Sequence, residues 1–514
     1  MTTKPTDRPV IAPLAVVEYG TRRGLIVAGV MMAALLQTLD ATIVNVALPT
    51  IEGNIGASID DGTWIITAYI IANVVAIPLA PFFLQRFGRR NYFAASVIGF
   101  TVASFFCGTA SSLGELVFYR VVQGAFGGGL SATSQIILRD TFPPDKIGAS
   151  SALFAIALTF GPALGPTVGG LLTDAYSWQW VFDINLVPGT LAAIIILTML
   201  RNPLPPRKIP FDGAGVALLI VALGSMQYVL DEGERNDWFS DARIVVAAVT
   251  FALGLAAFVL WELRGATDPI VDLRIFRYRN VRFGTLAAIV MGMVLFGPTV
   301  ILPQYVQGVL GFTATLSGLL ILMRALPVLA LTPFVARFAS VLDFRAILVT
   351  GFLLSAASFV ALALHMTTNS DFWTFPALLA ISGAGQSMLL VPLLVGIIPS
   401  VAPADAPKAS SFISLSVQTG GSIASTMLVT IFDRRTYFHS DVLRGAVTLA
   451  HKTVLDNTHI GLRRLVRVLW QQAANGGFAD SILTLAPLAC LGVLMAILLK
   501  RAKLALPAVP VAAE

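Results

Sequence analysis

Asp40 is the single ionisable residue in the apolar run 25–49. Holding a carboxylate deep in hydrocarbon costs roughly 2.5–3.5 kcal/mol even on lenient insertion scales, so such a group faces a bundle interior or a watery cavity. There it can exchange a proton or bind a cation. A purely structural Asp, bonded to a neighbouring helix, accounts for the same residue. On a helix Asp40 shares a face with Ala33, Gln37, Val44 and Ala47, a small and polar face of the kind that walls a cavity. A second buried charge, Arg120, lies in the run 113–138, with Gln123, Gly124, Gly127 and Ser131 on its face and Glu115 one turn outward. Arg120 is about seven residues, roughly 10 Å, from the outer end of its run, and Asp40 about nine, roughly 14 Å, from its own. The two are therefore within reach of each other, directly or through water. Asp40, Arg120 and Glu115 are the candidate proton-coupling groups.

The elements that must position these charges are membrane helices. The 514 residues are 56% hydrophobic and 12% charged, about half the charge fraction of a soluble domain. A span needs about 20 apolar residues. Runs of that kind occur near 25–49, 63–84, 92–110, 113–138, 148–173, 179–200, 211–230, 243–263, 283–303, 313–336, 346–365, 373–398, 409–432 and 480–500. The fold class expected is an all-α polytopic membrane protein of fourteen spans. The first run is too long for the apolar core of a signal peptide and reads as a retained span.

Most of the 34 Lys and Arg residues fall in the N-terminus, the even-numbered connections and the C-terminus. The short odd connections 45–62, 110–113, 174–178, 304–312 and 366–372 contain none. By the positive-inside rule both termini are cytoplasmic, so the net charge of +6 needs no nucleic-acid partner. A basic, Pro-rich connector, Arg201 to Pro210, precedes two spans, and a second basic connector, Arg264 to Arg282, follows them. The expected organisation is a cytoplasmic N-terminus 1–24, a six-helix bundle 25–200, a linker with two inserted spans 201–282, a second six-helix bundle 283–500 and a cytoplasmic tail 501–514. The second bundle includes a long outer loop, 433–480. Within that loop Leu462 to Gln472 has helical periodicity. It reads as a solvated amphipathic cap or as a docking surface for a periplasmic partner.

Several strings carry a resemblance. Leu39-Asp40-Ala41-Thr42-Ile43-Val44-Asn45-Val46-Ala47-Leu48-Pro49 closely resembles the first-span signature of the fourteen-span drug:proton antiporters, the EmrB/QacA-like branch of the major facilitator superfamily. Arg86, Gly88, Arg89 and Arg90 match the superfamily's signature between spans two and three, but Pro81 replaces its Gly and Gln85 its Asp. That Asp latches one conformation in the family. Gln85 forms no ion pair, so a latch here is weaker or built differently. Plain positive-inside anchoring explains the Arg cluster almost as well. Arg120-Val121-Val122-Gln123-Gly124 resembles the signature associated with proton coupling. In span five, Gly161, Gly165 and Gly169 line one face that admits a close neighbour. Pro162 and Pro166 remove backbone donors and bend the helix. With Gly170, this segment resembles the motif that separates antiporters from importers. Trp178 to Gly189, containing Asp183 and Asn185, resembles the family's entry to span six, with one extra residue before Pro188.

The resemblance implies two six-helix bundles plus an inserted pair, and proton-driven export of hydrophobic or amphipathic drugs across a bacterial cytoplasmic (inner) membrane by alternating access. It implies a proton gradient rather than a cofactor. It also raises a periplasmic adaptor protein and an outer-membrane channel as partners. Gln37, Val44, Gln123, Asp183, Asn185, Gln304, Arg324 and Gln386 are the candidate cavity residues. Gln85, Arg86, Gly88, Arg89, Arg90, Gly161, Pro162, Gly165, Pro166, Gly169 and Gly170 are the candidate switch residues. The rivals are a dedicated exporter of one metabolite or fatty acid, and a non-transporting receptor or scaffold. No Gly-Lys-Ser/Thr phosphate loop is present, and the four histidines show no metal-ligand spacing. No enzyme activity is expected.

Overall fold

The computed structural model describes residues 18–57, 59–143, 146–202, 210–265, 269, 271–339, 342–402, 405–446 and 459–501. Most of the expected N-terminus, of the Pro-rich connector and of the C-terminal tail lies outside these residues. Among the described residues fourteen long helical segments run in order: α1 Gly20–Ile55, α2 Trp64–Phe87, α3 Arg89–Thr109, α4 Leu113–Thr141, α5 Ile147–Ala175, α6 Trp180–Met199 and α7 Gly213–Glu232. Then come α8 Ala242–Gly265, α9 Arg279–Gly308, α10 Ala314–Ala339, α11 Phe344–His365, α12 Phe372–Ser400, α13 Ala406–Ala446 and α14 His459–Leu498. Thirteen are long and apolar enough to cross a membrane by composition alone; α4 is not among them. The reason is its polar side chains, Arg120, Gln123, Thr133, Ser134 and Gln135, every one of which is buried against other helices.

The packing repeats. In the first half α1 lies on α5, α2 on α4, α3 on α4 and α6, and α1 on α6. Adding eight to each number gives the second half: α9 on α13, α10 on α12, α11 on α12 and α14, and α9 on α14. Capping follows the same rule. Arg22 at the start of α1 donates through Nη2 to the Met199 carbonyl at 2.7 Å, closing the end of α6. Arg279 at the start of α9 donates through Nε to the Leu498 carbonyl at 2.9 Å, closing the end of α14. Arg89 Nε reaches the Arg201 carbonyl at 3.1 Å, and Arg345 Nη1 reaches the Leu499 carbonyl at 3.3 Å. Each guanidinium satisfies carbonyls that a helix end leaves orphaned. Beside this cap, the hydrogen bonds from Arg345 pull the Asp343 carboxyl down to about 2.

The two bundles meet where α5 packs on α10 and α2 packs on α13. The inserted α7 and α8 pack on each other; α7 leans on α2 and touches α13. They are peripheral. The apolar windows of α7 and α8 are 28% and 17% buried, against 67% for α2. A two-helix element hydrophobic all round with so little protein around it is facing lipid.

The turn between α2 and α3 is held within the first bundle. Gly88 adopts φ +79°, and a Cβ there would sit 2.8 Å from Asn202 Nδ2. Only Gly takes this conformation without strain. Arg89 Nη1 donates to Asp140 Oδ2 at 2.9 Å, the Arg90 amide donates to Asn202 Oδ1 at 2.9 Å, and Arg90 Nη2 donates to the Leu197 carbonyl. Arg86 lies over the Phe87 ring. Gln85 is exposed. The Arg89–Asp140 ion pair between α3 and α4 thus supplies the local charge pairing.

The expected outer segment 433–480 is helical where it is described. Helix α13 continues to Ala446 and α14 begins at His459. The two extensions pack on each other through the stacked rings of Phe432 and Phe478, 4.0 Å apart, and Arg435 Nε donates to Asp480 Oδ2 at 2.5 Å. The helical periodicity near Leu462–Gln472 was therefore part of a longer helix. Val466 and Trp470 on it are exposed.

Glycines set the closest packing of the first bundle. A Cβ on Gly161 would lie 1.9 Å from Thr38 Oγ1, one on Gly165 2.1 Å from Thr42 Oγ1, and one on Gly169 2.6 Å from the Ile43 carbonyl. On Gly170 it would meet only Val46 Cγ1, at 3.7 Å. Gly165→Ala should therefore lower the thermal midpoint in detergent by several degrees, at about 1–3 kcal/mol for overpacking. Gly170→Ala should leave it unchanged or slightly raised. Equal midpoints for the two variants would show that the α1–α5 contact is not as tight as described.

Candidate functional site

Five helices of the first bundle converge on Asp40, which is 0% exposed. Arg120 Nη1 from α4 donates to Asp40 Oδ2 at 2.6 Å. Gln123 Nε2 from α4 and Asn185 Nδ2 from α6 donate to Asp40 Oδ1 at 2.9 and 3.0 Å. Ser104 Oγ of α3 accepts from both amides, at 3.0 and 2.8 Å, and donates to the Phe182 carbonyl at 3.1 Å. Arg120 Nε donates to the Ile65 carbonyl of α2 at 3.0 Å, and Nη1 also donates to Gln123 Oε1 at 2.6 Å. The guanidinium carbon stands 4.0 Å from the centre of the Tyr69 ring, a cation–π contact. Cys107 Sγ lies 3.7 Å from Gln123 Oε1.

Every partner of Asp40 is a donor, which is the coordination of a carboxylate anion. A pair this deeply buried survives only because further hydrogen bonds support both partners. Arg120 does not depend on Asp40 alone: a carbonyl, an amide oxygen and an aromatic face also hold it. The carboxylate can therefore leave without stranding the cation entirely. That is the property a reversible proton site needs.

Behind α1 lies an open cavity of about 160 Å³ between the bundles. Gln37, Thr38, Ala41, Thr42 and Asn45 of α1 line it, with Ile70 of α2, Gln135 of α4, Pro162 of α5, Phe296 of α9 and Gln418 of α13. Asp40 is not among the lining residues. The face of Asp40, Val44 and Ala47 points into the bundle and is closed, while the face rotated from it walls the cavity. Only Gln37 of the residues grouped with Asp40 reaches the cavity.

The other expected site residues divide in the same way. Gln123 and Asn185 belong to the buried network rather than to the cavity wall. Val44 packs in an apolar cluster with Ile43, Ile65 and Phe182. Asp183 is half-buried beside Gly108, and Gln304 is exposed near the end of α9. Arg324 and Gln386 border a smaller side pocket that shares Leu158, Pro162, Phe296 and Thr299 with the main cavity. Glu115 lies apart from the network, exposed at the start of α4. Its Oε2 accepts from the Ser111 amide and hydroxyl, both at 2.9 Å, and its own amide donates to Ser112 Oγ at 3.3 Å. It belongs to a capping box that starts α4, on the surface and away from Asp40. Among the cavity residues, Asp231 was missed. This acid of α7 lines the main cavity, with Gln227 Nε2 donating to its Oδ1 at 2.9 Å. In the sequence it merges with the acidic connection that follows.

A polytopic all-helical protein with two repeated bundles, a cavity between them and a buried charge pair beside that cavity has the architecture of a membrane transporter. The chain belongs to the major facilitator superfamily, whose family model matches residues 30–426. It is 35% identical over 417 residues to the multidrug export protein EmrB of Escherichia coli strain K12, covering 81% of each chain. It is 33% identical over 415 residues to the fatty acid resistance protein FarB of Neisseria gonorrhoeae, covering 79% of this chain and 80% of that one. The crystal structure of the human organic anion transporter MFSD10 (TETRAN) aligns at a TM-score of 0.60 with 14% identity, covering 92% of this chain and 99% of that one. The proton:xylose symporter XylE aligns at 0.58 with 14% identity, covering 93% and 95%. At that identity the two structures speak for the fold alone.

The network predicts a coupling in stability. Arg120→Gln leaves a buried carboxylate short of its counter-charge and should cost about 3–5 kcal/mol. Adding Asp40→Asn removes the stranded charge and should recover part of that loss. Thermal unfolding of the two single variants and the double variant closes the cycle. Strictly additive losses would mean the pair contributes no interaction energy.

Proposed function

We propose that the protein exports hydrophobic or amphipathic small molecules in exchange for protons, by alternating access. The observation that carries this reading is the Asp40–Arg120 pair, fully buried one helix face behind the cavity. The cavity offers Ile, Phe and Leu side chains with scattered amides and hydroxyls, a lining suited to apolar bodies with few polar groups. Similarity to EmrB supports export of drugs; similarity to FarB supports the narrower reading of a fatty acid exporter.

The mechanism links substrate and proton through α1. Its Thr38 Oγ1 donates to the Ala157 carbonyl of α5 at 3.1 Å, and Thr42 fits against Gly165. When the bundles rock, α5 moves against α10. Because α1 is locked to α5, its rotation or shift changes the distance from Asp40 to Arg120. With the pair closed the carboxylate is ionised and its proton has left. With the pair parted Asp40 takes a proton, and Arg120 stays on Ile65 and Tyr69. Substrate packing on Gln37, Thr38 and Ala41 biases the same helix from the opposite face. Gly161, Gly165 and Gly169, with the bends at Pro162 and Pro166, are the switch in this scheme. The turn at Gly88–Arg90 ties α3 to α4 and to the end of α6, and leaves α1 and α5 to move.

The domain division proposed is the first bundle 25–200, the inserted pair within 201–282 and the second bundle 283–500. Their setting is a bacterial inner membrane with both termini cytoplasmic, as the Lys and Arg distribution requires. In that orientation the α13–α14 extensions stand on the periplasmic side, where a partner adaptor would reach them.

Asp40→Asn should abolish substrate-stimulated proton flux in proteoliposomes while the protein remains folded, since an amide cannot exchange a proton. Wild-type flux from that variant would remove Asp40 from the coupling role.

A further inference from the structure

We propose that Arg324 and Gln386 form a subsite for the anionic headgroup of a single-chain carboxylate amphiphile, with the tail lying in the main cavity. This deepens the export reading above and rests on it. Arg324 of α10 is 4% exposed and Gln386 of α12 is 3% exposed, and both border a narrow side pocket of about 20 Å³. No carboxylate among the described residues pairs with Arg324. Its partners are two carbonyls of α9: Nη2 donates to Leu295 and, at 3.5 Å, to Val294.

The reason the Val294 carbonyl is available is local. Pro298 lies inside α9 and has no N–H for the Val294 carbonyl four residues before it. Arg324 fills that vacancy, and Gln386 Nε2 points to the same carbonyl at 3.5 Å. The kink therefore fixes the guanidinium in place. A carbonyl accepts a hydrogen bond but does not neutralise a charge, so a full positive charge remains buried. Arg324 Nε is buried with no partner. A planar guanidinium with an unpaired N–H favours a carboxylate as its acceptor. A bound carboxylate supplies both the missing acceptor and the missing counter-charge.

The tail has a route. The pocket shares Leu158, Pro162, Phe296 and Thr299 with the main cavity, whose walls are mostly apolar. Asp231, the acid that lines the main cavity, does not border the side pocket. Asp231 and Arg324 thus lie on different walls, and the Arg324 side is the one that offers a carboxylate a cation.

The test compares one tail with three headgroups. Decanoate, 1-decanol and decyltrimethylammonium are titrated calorimetrically into the full-length protein in a neutral detergent, and their proton-coupled export is followed in proteoliposomes. Wild type should bind decanoate roughly tenfold or more tighter than decanol, as expected for a desolvated charge pair. Arg324→Gln should erase that difference and leave the other two affinities unchanged, and Arg324→Lys should keep part of it. Wild type binding decanoate no better than decanol overturns the subsite. So does an equal loss for all three ligands in Arg324→Gln, which would make Arg324 only a brace for the kink. If Arg324→Gln does not fold, Gln386→Met decides: a selective loss for decanoate supports the subsite, and no loss or an equal loss overturns it. Export of decanol and the cation without a decanoate preference sinks the subsite alone. Proton-coupled export of none of the three by wild type sinks the export reading itself.

Discussion

A carboxylate with no solvent exposure in the middle of a helix bundle constrains everything around it. Asp40 needs a counter-charge, and Arg120 supplies it at 2.6 Å. Arg120 in turn needs acceptors for its other N–H groups, which brings in Gln123 and the Ile65 carbonyl. The second carboxylate oxygen needs donors, which brings in Gln123 and Asn185. Ser104 then accepts from both amides. Helices α1, α2, α3, α4 and α6 are tied at one level by this chain of requirements. The polar character of α4 follows from the same need. An unpaired member would be far more costly here than in water.

The glycine face of α5 is the second constraint, and it connects the network to the cavity. Close contact at Gly161, Gly165 and Gly169 leaves α1 no freedom to slide independently of α5. Helix α5 also packs on α10 of the second bundle. Motion between bundles therefore acts on the helix that carries Asp40. The second bundle repeats the helix packing and the Arg caps of the first. Its buried cation is different: Arg324 is held by the Leu295 and Val294 carbonyls, the latter freed by Pro298, and no acid among the described residues pairs with it. The two halves thus share architecture and differ in chemistry, one binding its own carboxylate and the other left open to a ligand.

How much was legible in the sequence depended on the cost of each feature. A charge inside an apolar run is expensive, so Asp40 and Arg120 were visible, and their depths placed them together. Doubled Gly-Pro and glycines four apart marked the α5 face for the same reason. The inner shell was not visible. Ser104, Cys107 and Tyr69 are ordinary residues in membrane helices, and a backbone carbonyl such as that of Ile65 leaves no sequence signal. Helical phase misled where neighbouring residues on a face lie on different sides of a boundary: Gln37 lines the cavity while Asp40 and Val44 do not. Glu115 was named with the proton-coupling groups because it lies one turn from Arg120, yet Ser112 three residues before it gives the capping-box pattern. Asp231 was lost at a span boundary. The segment 433–480 read as a loop because its charged residues interrupt hydrophobicity, although the helices continue through the described parts.

The most direct test of the central claim reads the protonation of Asp40 itself. Difference infrared spectroscopy of the reconstituted protein, with and without an exported substrate, reports the C=O stretch of a protonated carboxyl group. Substrate binding should remove such a band in wild type, as the closing pair expels the proton, and Asp40→Asn should lack the change. The same substrate-dependent band change in Asp40→Asn would place the coupled proton on another group and contradict the account.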